Sequence, residues 1–195
     1  MATRILAGRA RGKLIRTLPG LSTRPLLSRV KKSLFDILGA RIEGATFLDL
    51  YAGSGNIGLE ALSRGAKSCW FVEKNLRCVR VIKENLFSLG MGDYSRVIRA
   101  NVLKFLPRIK EKFDLIFVGP PYGKNLIIPT LKIIAEKYIL TKEGWTICQH
   151  HRREKLSGET GQLGQFRQEI YGNIALSFYE YLATKSHKTT RNFRI

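Results

Sequence analysis

The chain has 195 residues, of which 44% are hydrophobic and 25% charged, which is enough for one well-buried core with at most a small appendage. Its formal net charge of +19 indicates a polyanionic partner, and nucleic acid is the first candidate. The alternatives are a solvated basic surface without a partner and a membrane-surface protein. No apolar run approaches the roughly 20 residues that span a bilayer, and no signal-peptide core follows the N-terminus, so we expect neither insertion nor export. The three cysteines, Cys69, Cys78 and Cys148, are odd in number and lack metal-type spacing, as is typical of reduced thiols in a cytoplasmic protein.

The first 33 residues form a basic segment that holds nine Lys or Arg and no Asp or Glu, and we expect these nine charges to contact phosphates. From Ser28 the apolar positions recur at helical spacing, with Ser28 placed to cap a helix and Gly39 placed to end it. We therefore predict a basic RNA-binding arm with a linking helix over residues 1–39, a main domain over 40–183 and a mobile basic tail over 184–195. The candidate RNA-binding residues are Arg4, Arg9, Arg11, Lys13, Arg24 and Arg29.

After Gly44, short apolar runs alternate with helical stretches. The predicted strands span 46–50, 68–72, 97–99, 113–118 and 145–148, and the predicted helices span 57–63, 76–89, 102–109 and 126–138. This alternation predicts a mostly parallel, doubly wound α/β sheet of the Rossmann-like class. Two further strands, 166–171 and 174–182, flank Gly172-Asn173, which predicts a C-terminal antiparallel hairpin.

The segment Gly53-Ser-Gly-Asn-Ile-Gly58 has the G-x-G-x-x-G pattern between a strand and a helix, so a dinucleotide is the first cofactor to weigh. Asp49 at the strand end would oppose a pyrophosphate, but it suits the cationic amino group and sulfonium of S-adenosylmethionine. Glu73 ends the next strand, where its carboxylate can accept hydrogen bonds from both ribose hydroxyls of the adenosyl group. The alternative is that Glu73 lies on the surface beside Lys74. Asn101 can meet the adenine edge or only form a turn. The candidate cofactor-binding residues are Asp49, Tyr51, Gly53, Ser54, Gly55, Gly58, Glu73, Lys74, Asn101 and Val102.

The acceptor loop, Val118-Gly-Pro-Pro-Tyr-Gly123, follows the fourth strand at the carboxyl edge of the sheet, where open α/β folds bind their ligands. Two prolines fix its backbone, so a carbonyl at Gly119 or Pro120 can accept a hydrogen bond from an exocyclic amine. Tyr122 can stack on a base, although a merely stiff loop is the alternative. Gly119, Pro120, Pro121 and Tyr122 are therefore the candidate catalytic residues. His150-His151-Arg-Arg153 lacks further spaced ligands, so no metal site is expected.

Together these segments resemble the small-subunit (16S) ribosomal RNA guanine-N2 methyltransferases, the RsmD-type enzymes of bacteria. The resemblance implies transfer of a methyl group from S-adenosylmethionine to the 2-amino group of one guanine in 16S ribosomal RNA, on a ribosomal assembly particle. It covers nearly the whole chain and rests on Arg4 to Gly12, Thr23-Arg-Pro25, Arg29-Val-Lys31, Leu34-Phe35 to Leu38, Asp49 to Gly58, Phe71-Val-Glu73, Pro120-Pro-Tyr-Gly123 and Tyr171-Gly172.

The chain departs from this family at the first position of the family's Asp-Pro-Pro-Tyr motif, where it has Gly119. In such enzymes that carboxylate would hold the amine and stabilise positive charge, and losing one preorganised partner costs on the order of 100-fold to 1000-fold in rate. Three explanations stay open: an impaired relative, a variant residue, or a nearby acceptor that takes over the role. Asn101 and Gln149, where the family more often has acids, and Leu26-Leu27, where it has threonines, are smaller departures.

The sequence thus predicts a methyltransferase in which the substrate nitrogen is the nucleophile, so no Ser, Cys or His nucleophile is required. The alternative within the same class is an adenine-N6 methyltransferase of DNA or RNA. The alternative from another class is a non-catalytic RNA-binding or ribosome-assembly factor that keeps the cofactor fold. A nicotinamide oxidoreductase is least favoured, because of Asp49 and the Pro120-Pro-Tyr122 loop.

Overall fold

A computed structural model describes residues 2–18 and 28–182. Arg24, Leu26-Leu27 and the predicted C-terminal tail lie outside the described residues. A two-stranded antiparallel hairpin, β1 (Ala2–Arg4) and β2 (Leu14–Arg16), precedes helix α1 (Ser28–Leu38). Within the described ranges no helix is long and apolar enough to cross a membrane.

The main sheet has eight strands in the order β5-β4-β3-β6-β7-β10-β9-β8. Strands β3 to β7 pair in parallel, whereas β10 is antiparallel to both β7 and β9. Ile174 pairs with Tyr171 across the predicted two-residue turn. The mostly parallel sheet and its C-terminal antiparallel hairpin are therefore confirmed. The strands are β3 (Thr46–Leu50), β4 (Ser68–Glu73), β5 (Ser95–Arg99), β6 (Phe113–Val118), β7 (Leu140–His151), β8 (Glu159–Thr160), β9 (Leu163–Tyr171) and β10 (Ile174–Tyr181).

The helices between the parallel strands begin and end close to the predicted positions, with one exception. Helix α3 begins after Asn75, whose side chain accepts a hydrogen bond from the Arg77 N–H at 2.9 Å, and ends before Gly90. Helix α4 is shorter than predicted because Pro107 has no N–H to donate and disfavours a helix interior, so the chain continues as a 3₁₀ turn, Leu106–Arg108. The helices are α2 (Asn56–Ser63), α3 (Leu76–Leu89), α4 (Val102–Phe105) and α5 (Ile127–Glu136).

Apolar cores cover both faces of the sheet, as expected when strands are buried on two sides. Neighbouring residues of β3 point to opposite faces, so Phe47 joins the core beneath α1, α2 and α3 while Leu48 joins the core beneath α4 and α5. Each predicted thiol is free and buried. The two layers of helices leave the carboxyl edge of the parallel strands as the place where a ligand can approach.

The N-terminal hairpin packs into the first of these cores, although its strands were not predicted. Ile5 and Ile15 are buried there. The backbone N–H of Arg9 donates to the Ser63 carbonyl at 2.8 Å, and that of Ala10 donates to Ser63 Oγ at 3.0 Å. Strands of three residues are too short to give a periodic hydrophobic pattern, which is why the sequence predicts only an arm here.

A buried ion pair ties α1 to α2. The Lys31 side chain is 0% exposed, and its Nζ lies 2.9 Å from Glu60 Oε2, 2.9 Å from the Arg4 carbonyl and 2.9 Å from Asn56 Oδ1. These three acceptors use all three donors of the ammonium group. The expectation that every cation of the basic segment contacts phosphate is therefore wrong for Lys31, because its charge is enclosed by the fold.

The Glu60 carboxylate connects the same ion pair to the hairpin. It accepts hydrogen bonds from the backbone N–H groups of Leu6 at 2.9 Å and Ala7 at 3.0 Å, and from Arg64 Nε at 2.8 Å. Glu60 is buried, and buried charges persist where they are paired and fully hydrogen-bonded. The loop after β1 is thus attached to α2 by a satisfied polar network.

Candidate functional site

A cavity of about 440 Å³ lies at the carboxyl edge of β3, β4 and β5, a volume in the range of small-molecule sites. Of the candidate catalytic residues, Pro121 lines this cavity, whereas Gly119, Pro120 and Tyr122 do not, so part of the candidate cofactor set shares one space with one residue of the acceptor loop. The predicted cofactor residues that line it are Tyr51, Glu73, Lys74, Asn101 and Val102. The sequence did not identify the remaining lining residues, Val72, Asn75, Cys78, Ala100, Leu103, Lys124 and Leu126.

Glu73 is the carboxylate that the fold presents to this cavity. It is 8% exposed, and its Oε2 accepts the Gly53 N–H at 2.9 Å while its Oε1 accepts the Asn75 N–H at 2.8 Å. A carboxylate has about four acceptor positions, so each oxygen keeps capacity for one further donor. Glu73 therefore shapes the glycine loop and can also accept two hydroxyl groups from a ligand.

The predicted loop residues Gly53, Ser54, Gly55 and Gly58 do not line the cavity; they determine how α2 meets the sheet. A Cβ atom on Gly58 would overlap the ring of Phe71 and lie 2.6 Å from Cys69 Sγ. Only glycine allows α2 to approach β4 this closely. This packing is the role that the last glycine has in G-x-G-x-x-G folds.

Asp49 lies beneath the loop and not in the cavity lining. It is 2% exposed, and its Oδ2 accepts the Gly58 N–H at 3.0 Å. Burial raises the pKa of Asp49 to about 7, opposed by the Gly58 hydrogen bond and reinforced by the nearby charge of Glu73. The contact with Gly58 helps to fix the start of α2, and direct contact between Asp49 and a cofactor stays a prediction.

The raised pKa of Asp49 makes stability depend on pH. Because the folded pKa, about 7, lies above the ordinary value of 3.8, the folded state holds more protons between these values and becomes less stable as pH rises through them. We expect the free energy of unfolding to fall by about 2–4 kcal/mol more in the natural protein than in Asp49→Asn between about pH 4 and 7.5. Urea unfolding of both proteins at several pH values measures the difference. Parallel pH profiles would contradict an ionisation of Asp49 in this range.

Asn101 and Tyr51 both line the cavity. Asn101 caps α4, since its Oδ1 accepts the Lys104 N–H at 3.3 Å, so the turn-forming role is present and the adenine contact stays a prediction. The Tyr51 hydroxyl lies 2.9 Å from Thr130 Oγ1, and burial raises its pKa. Tyr51 therefore presents a neutral, anchored ring to the cavity.

The acceptor loop is fixed at two points. The Gly119 N–H donates to the Leu50 carbonyl at 3.3 Å, which holds the start of the loop against β3. The Tyr122 hydroxyl accepts a hydrogen bond from Gln149 Nε2 at 2.9 Å, and the Tyr122 ring meets His151 edge to face at 6.1 Å. Pro120 between these points is buried. The half-buried Tyr122 ring is thus held by β7, a contact that the sequence did not reveal.

The candidate RNA-binding residues that the structure describes are exposed but do not form one cluster beside the cavity. Arg9 stacks over Tyr94 at 4.8 Å, and its backbone bonds Ser63 at the far end of α2, so it lies toward the amino edge of the sheet. Arg29 starts α1, whose last turn leads to the amino end of β3, so Arg29 lies toward the carboxyl edge. The other described members of the set, all exposed, are Arg4, Arg11 and Lys13.

The adjacent His150 and His151 at the end of β7 do not form a metal site. His150 is buried, and its ring nitrogens bond the His151 carbonyl at 3.0 Å and Ser177 Oγ at 2.9 Å. Burial lowers the pKa of His150. In the described part of the chain, no group of His, Cys, Asp and Glu residues could hold a metal ion.

The chain is similar over most of its length to known proteins. The family model described as Conserved hypothetical protein 95 matches residues 3–180. Ribosomal RNA small subunit methyltransferase D of Escherichia coli (strain K12) is 29% identical over 91% of this chain and 89% of that protein. The protein of the same name from Haemophilus influenzae is 33% identical over 80% of this chain and 89% of that protein.

Two solved structures superpose on most of the chain. A protein of Escherichia coli, provisionally described as methyltransferase yhhF, superposes with a TM-score of 0.82 at 30% identity, covering 94% of this chain and 99% of that one. A hypothetical protein of Thermus thermophilus superposes with a TM-score of 0.79 at 34% identity, covering 91% of this chain and 99% of that one. The chain therefore belongs to the Conserved hypothetical protein 95 family, the RsmD family of ribosomal RNA methyltransferases, and is an RNA methyltransferase.

Proposed function

We propose that this enzyme transfers the methyl group of S-adenosylmethionine to the 2-amino group of a guanine in the 16S ribosomal RNA of the small subunit. The observation that carries the proposal is the shared cavity, in which Glu73 and the acceptor-loop residue Pro121 line one space. The names of the relatives support a small-subunit substrate. A substrate on assembling ribosomes implies that the enzyme acts in the bacterial cytoplasm.

The residues of the cavity fit the proposed cofactor. Glu73 has free acceptor capacity for two ribose hydroxyls beside its two backbone hydrogen bonds. Asn101 and Val102 offer a polar edge and an apolar wall to an adenine ring, and Tyr51 adds a second wall. Asp49, which is buried outside the cavity lining, is the carboxylate proposed for the cationic end of the ligand. S-adenosylmethionine, when bound, supplies an electrophilic methyl group on its sulfonium.

The acceptor loop would orient the base. Tyr122 can stack on a guanine that has left its helix, and its hydrogen bond to Gln149 keeps the ring from turning away. The carbonyls of Gly119 and Pro120 can accept hydrogen bonds from the exocyclic amine. Correct placement of the nitrogen lone pair toward the methyl group is the main contribution required, since the substrate nitrogen is itself the nucleophile.

The basic segment would hold the RNA backbone through Arg4, Arg9, Arg11, Lys13, Arg24 and Arg29. Ile5 and Ile15 of the basic segment are buried in the hydrophobic core, so deletion of the segment would expose that core. Single substitutions are therefore the better test. Arg29→Ala is expected to flatten the slope of log affinity against log salt by about 0.7–0.9, the value of one phosphate contact.

The measurement for Arg29 is binding to small-subunit RNA between about 50 and 200 mM salt, the range over which such contacts weaken strongly. Lys142→Ala is the matched control, since Lys142 is an exposed cation near the amino end of β7. We expect its slope to match that of the natural protein. Equal slopes for all three proteins would remove Arg29 from the RNA-binding surface.

The function is tested by incubating the enzyme and labelled S-adenosylmethionine with undermethylated small subunits, then digesting the RNA to nucleosides. We expect label in N2-methylguanosine. Label in N6-methyladenosine would support the adenine alternative and overturn the guanine assignment. Binding of the RNA without any transfer would favour the assembly-factor alternative for this chain.

A further inference from the structure

We propose that Gln149 supplies the side-chain acceptor for the substrate amine that Gly119 lacks. This inference rests on the proposed function, since it concerns the amine that receives the methyl group. It assigns a role to a residue of β7 that lies outside the acceptor loop. The role is to accept one hydrogen bond from the exocyclic amine and to aim its lone pair at the methyl group.

The register of the sheet places Gln149 beside Gly119. Strands β6 and β7 pair in parallel up to Val118 opposite Cys148, and Gly119 and Gln149 are the next residues along the two chain segments. Alternation along β7 directs Gln149 to the same face of the sheet as Ile147. The contact of its Nε2 with the Tyr122 hydroxyl places the Gln149 side chain at the acceptor loop that begins with Gly119.

The hydrogen bonding of Gln149 leaves its carbonyl oxygen available. Gln149 is 9% exposed, and its Nε2 donates to the Tyr122 hydroxyl at 2.9 Å. Within residues 2–18 and 28–182, no donor bonds Gln149 Oε1. The amide is anchored at its nitrogen, and its oxygen can accept a hydrogen bond from a ligand that donates one. The anchor is the residue proposed to stack on the base, so base and amide would be positioned together.

Three of the four ring nitrogens of the neighbouring His150 and His151 are engaged within the fold. Both ring nitrogens of His150 are engaged, one with Ser177 and one with the His151 carbonyl. His151 Nδ1 accepts the Arg153 N–H at 3.2 Å. At position 119 itself, a Cβ atom would lie 2.7 Å from Phe117 Cε1, so an aspartate there requires the Phe117 ring to move. The local packing thus favours an acceptor from β7.

The chemical step balances without a proton acceptor on Gln149. The nitrogen lone pair forms the new N–C bond as the C–S bond of the donor breaks, and the thioether product keeps that electron pair. The methylated nitrogen then releases one proton to water. A neutral amide holds the N–H groups and partly stabilises the developing positive charge, and a carboxylate at the same position would stabilise that charge more strongly.

The test compares Gln149→Met with Gln149→Glu. Methionine keeps the length and volume but lacks the acceptor, so we expect kcat to fall about 100-fold while the Kd for S-adenosylmethionine stays within twofold. Glutamate restores an acceptor, so we expect at least natural activity, with a new loss of kcat at low pH as the carboxyl is protonated. A merely structural role of Gln149 would not create that pH dependence.

Tyr122→Phe separates the anchor from the acceptor. It removes the hydroxyl partner of Gln149 but keeps the amide, so we expect a smaller loss of kcat than in Gln149→Met. If the natural enzyme transfers methyl and Gln149→Met transfers it equally well, the role of Gln149 is overturned while the proposed function stands. If the natural enzyme transfers none, the proposed function fails. Thermal unfolding of each variant identifies a loss of rate that comes from misfolding, and in that case Gln149→Glu alone decides through its pH profile.

Discussion

Replacing Lys31 with methionine is expected to lower the free energy of unfolding by up to about 3–5 kcal/mol, because it removes one of the two cations that pair with the buried Glu60 carboxylate. Glu60 would keep Arg64 and two backbone donors but lose the ammonium at 2.9 Å. Burial already lowers the pKa of Lys31, which shows that desolvation of this charge is substantial. Urea unfolding followed by circular dichroism measures the loss.

Lys32→Met is the matched control for Lys31→Met. Lys32 is the next residue of α1, and it pairs with Asp36 at 2.7 Å on the surface, where both side chains are more than half exposed. Exposed i,i+4 pairs contribute about 0.3–0.5 kcal/mol, so the control should change stability very little. Similar losses in the two variants would show that the buried pair has no special weight in this fold.

Lys31→Met also tests how the basic segment is attached to α2. The Leu6 and Ala7 amides donate to Glu60, so weakening the network should increase the hydrogen exchange of these two amides more than that of β3. Increased exchange without global unfolding would mean that the hairpin opens as a local unit. RNA binding by the segment would then depend on a charge that never touches RNA.

The sheet was predictable from sequence because its signals are local. Strands β3, β4 and β6 are mostly buried apolar runs bounded by loop residues, and Gly172-Asn173 specifies a two-residue hairpin. The full length of β7 was not predictable, because Lys142, Glu143 and Gly144 interrupt the apolar pattern before Trp145. Tertiary pairing of Leu140 with Phe113 extends that strand, and such pairing carries no local signature.

The site was predictable only where a motif fixes the backbone. Glu73 ends β4 and Pro121 lies in the loop after β6, so their position at the carboxyl edge could be inferred, and both line the cavity. The direction of a buried side chain depends on neighbours distant in sequence. For this reason Gln149 appeared from the sequence as a departure from the family, whereas its contact with Tyr122 required the structure. The burial of Lys31 could not be predicted either, because in the sequence it is one of several neighbouring cations.

Glu73→Ala is expected to weaken binding of S-adenosylmethionine by at least about 100-fold, because two hydrogen bonds to a charged group contribute about 1.5–3 kcal/mol each. The expectation follows from the acceptor capacity that Glu73 keeps beside its bonds to Gly53 and Asn75. Isothermal titration calorimetry with S-adenosylhomocysteine gives the affinity without turnover. Glu143→Ala, which removes an exposed glutamate near the start of β7, is the control and should bind normally.

Loss of binding in Glu73→Ala has two physical sources, since the substitution also frees the Gly53 and Asn75 amides. A cycle that combines Glu73→Ala with a cofactor analogue lacking one ribose hydroxyl separates them. If Glu73 accepts that hydroxyl, removing it weakens binding to the natural protein by about 10-fold or more but has little effect on the variant. Equal weakening in both proteins would mean that Glu73 acts only by holding the glycine loop, and the ribose contact would have to be assigned to another residue of the cavity.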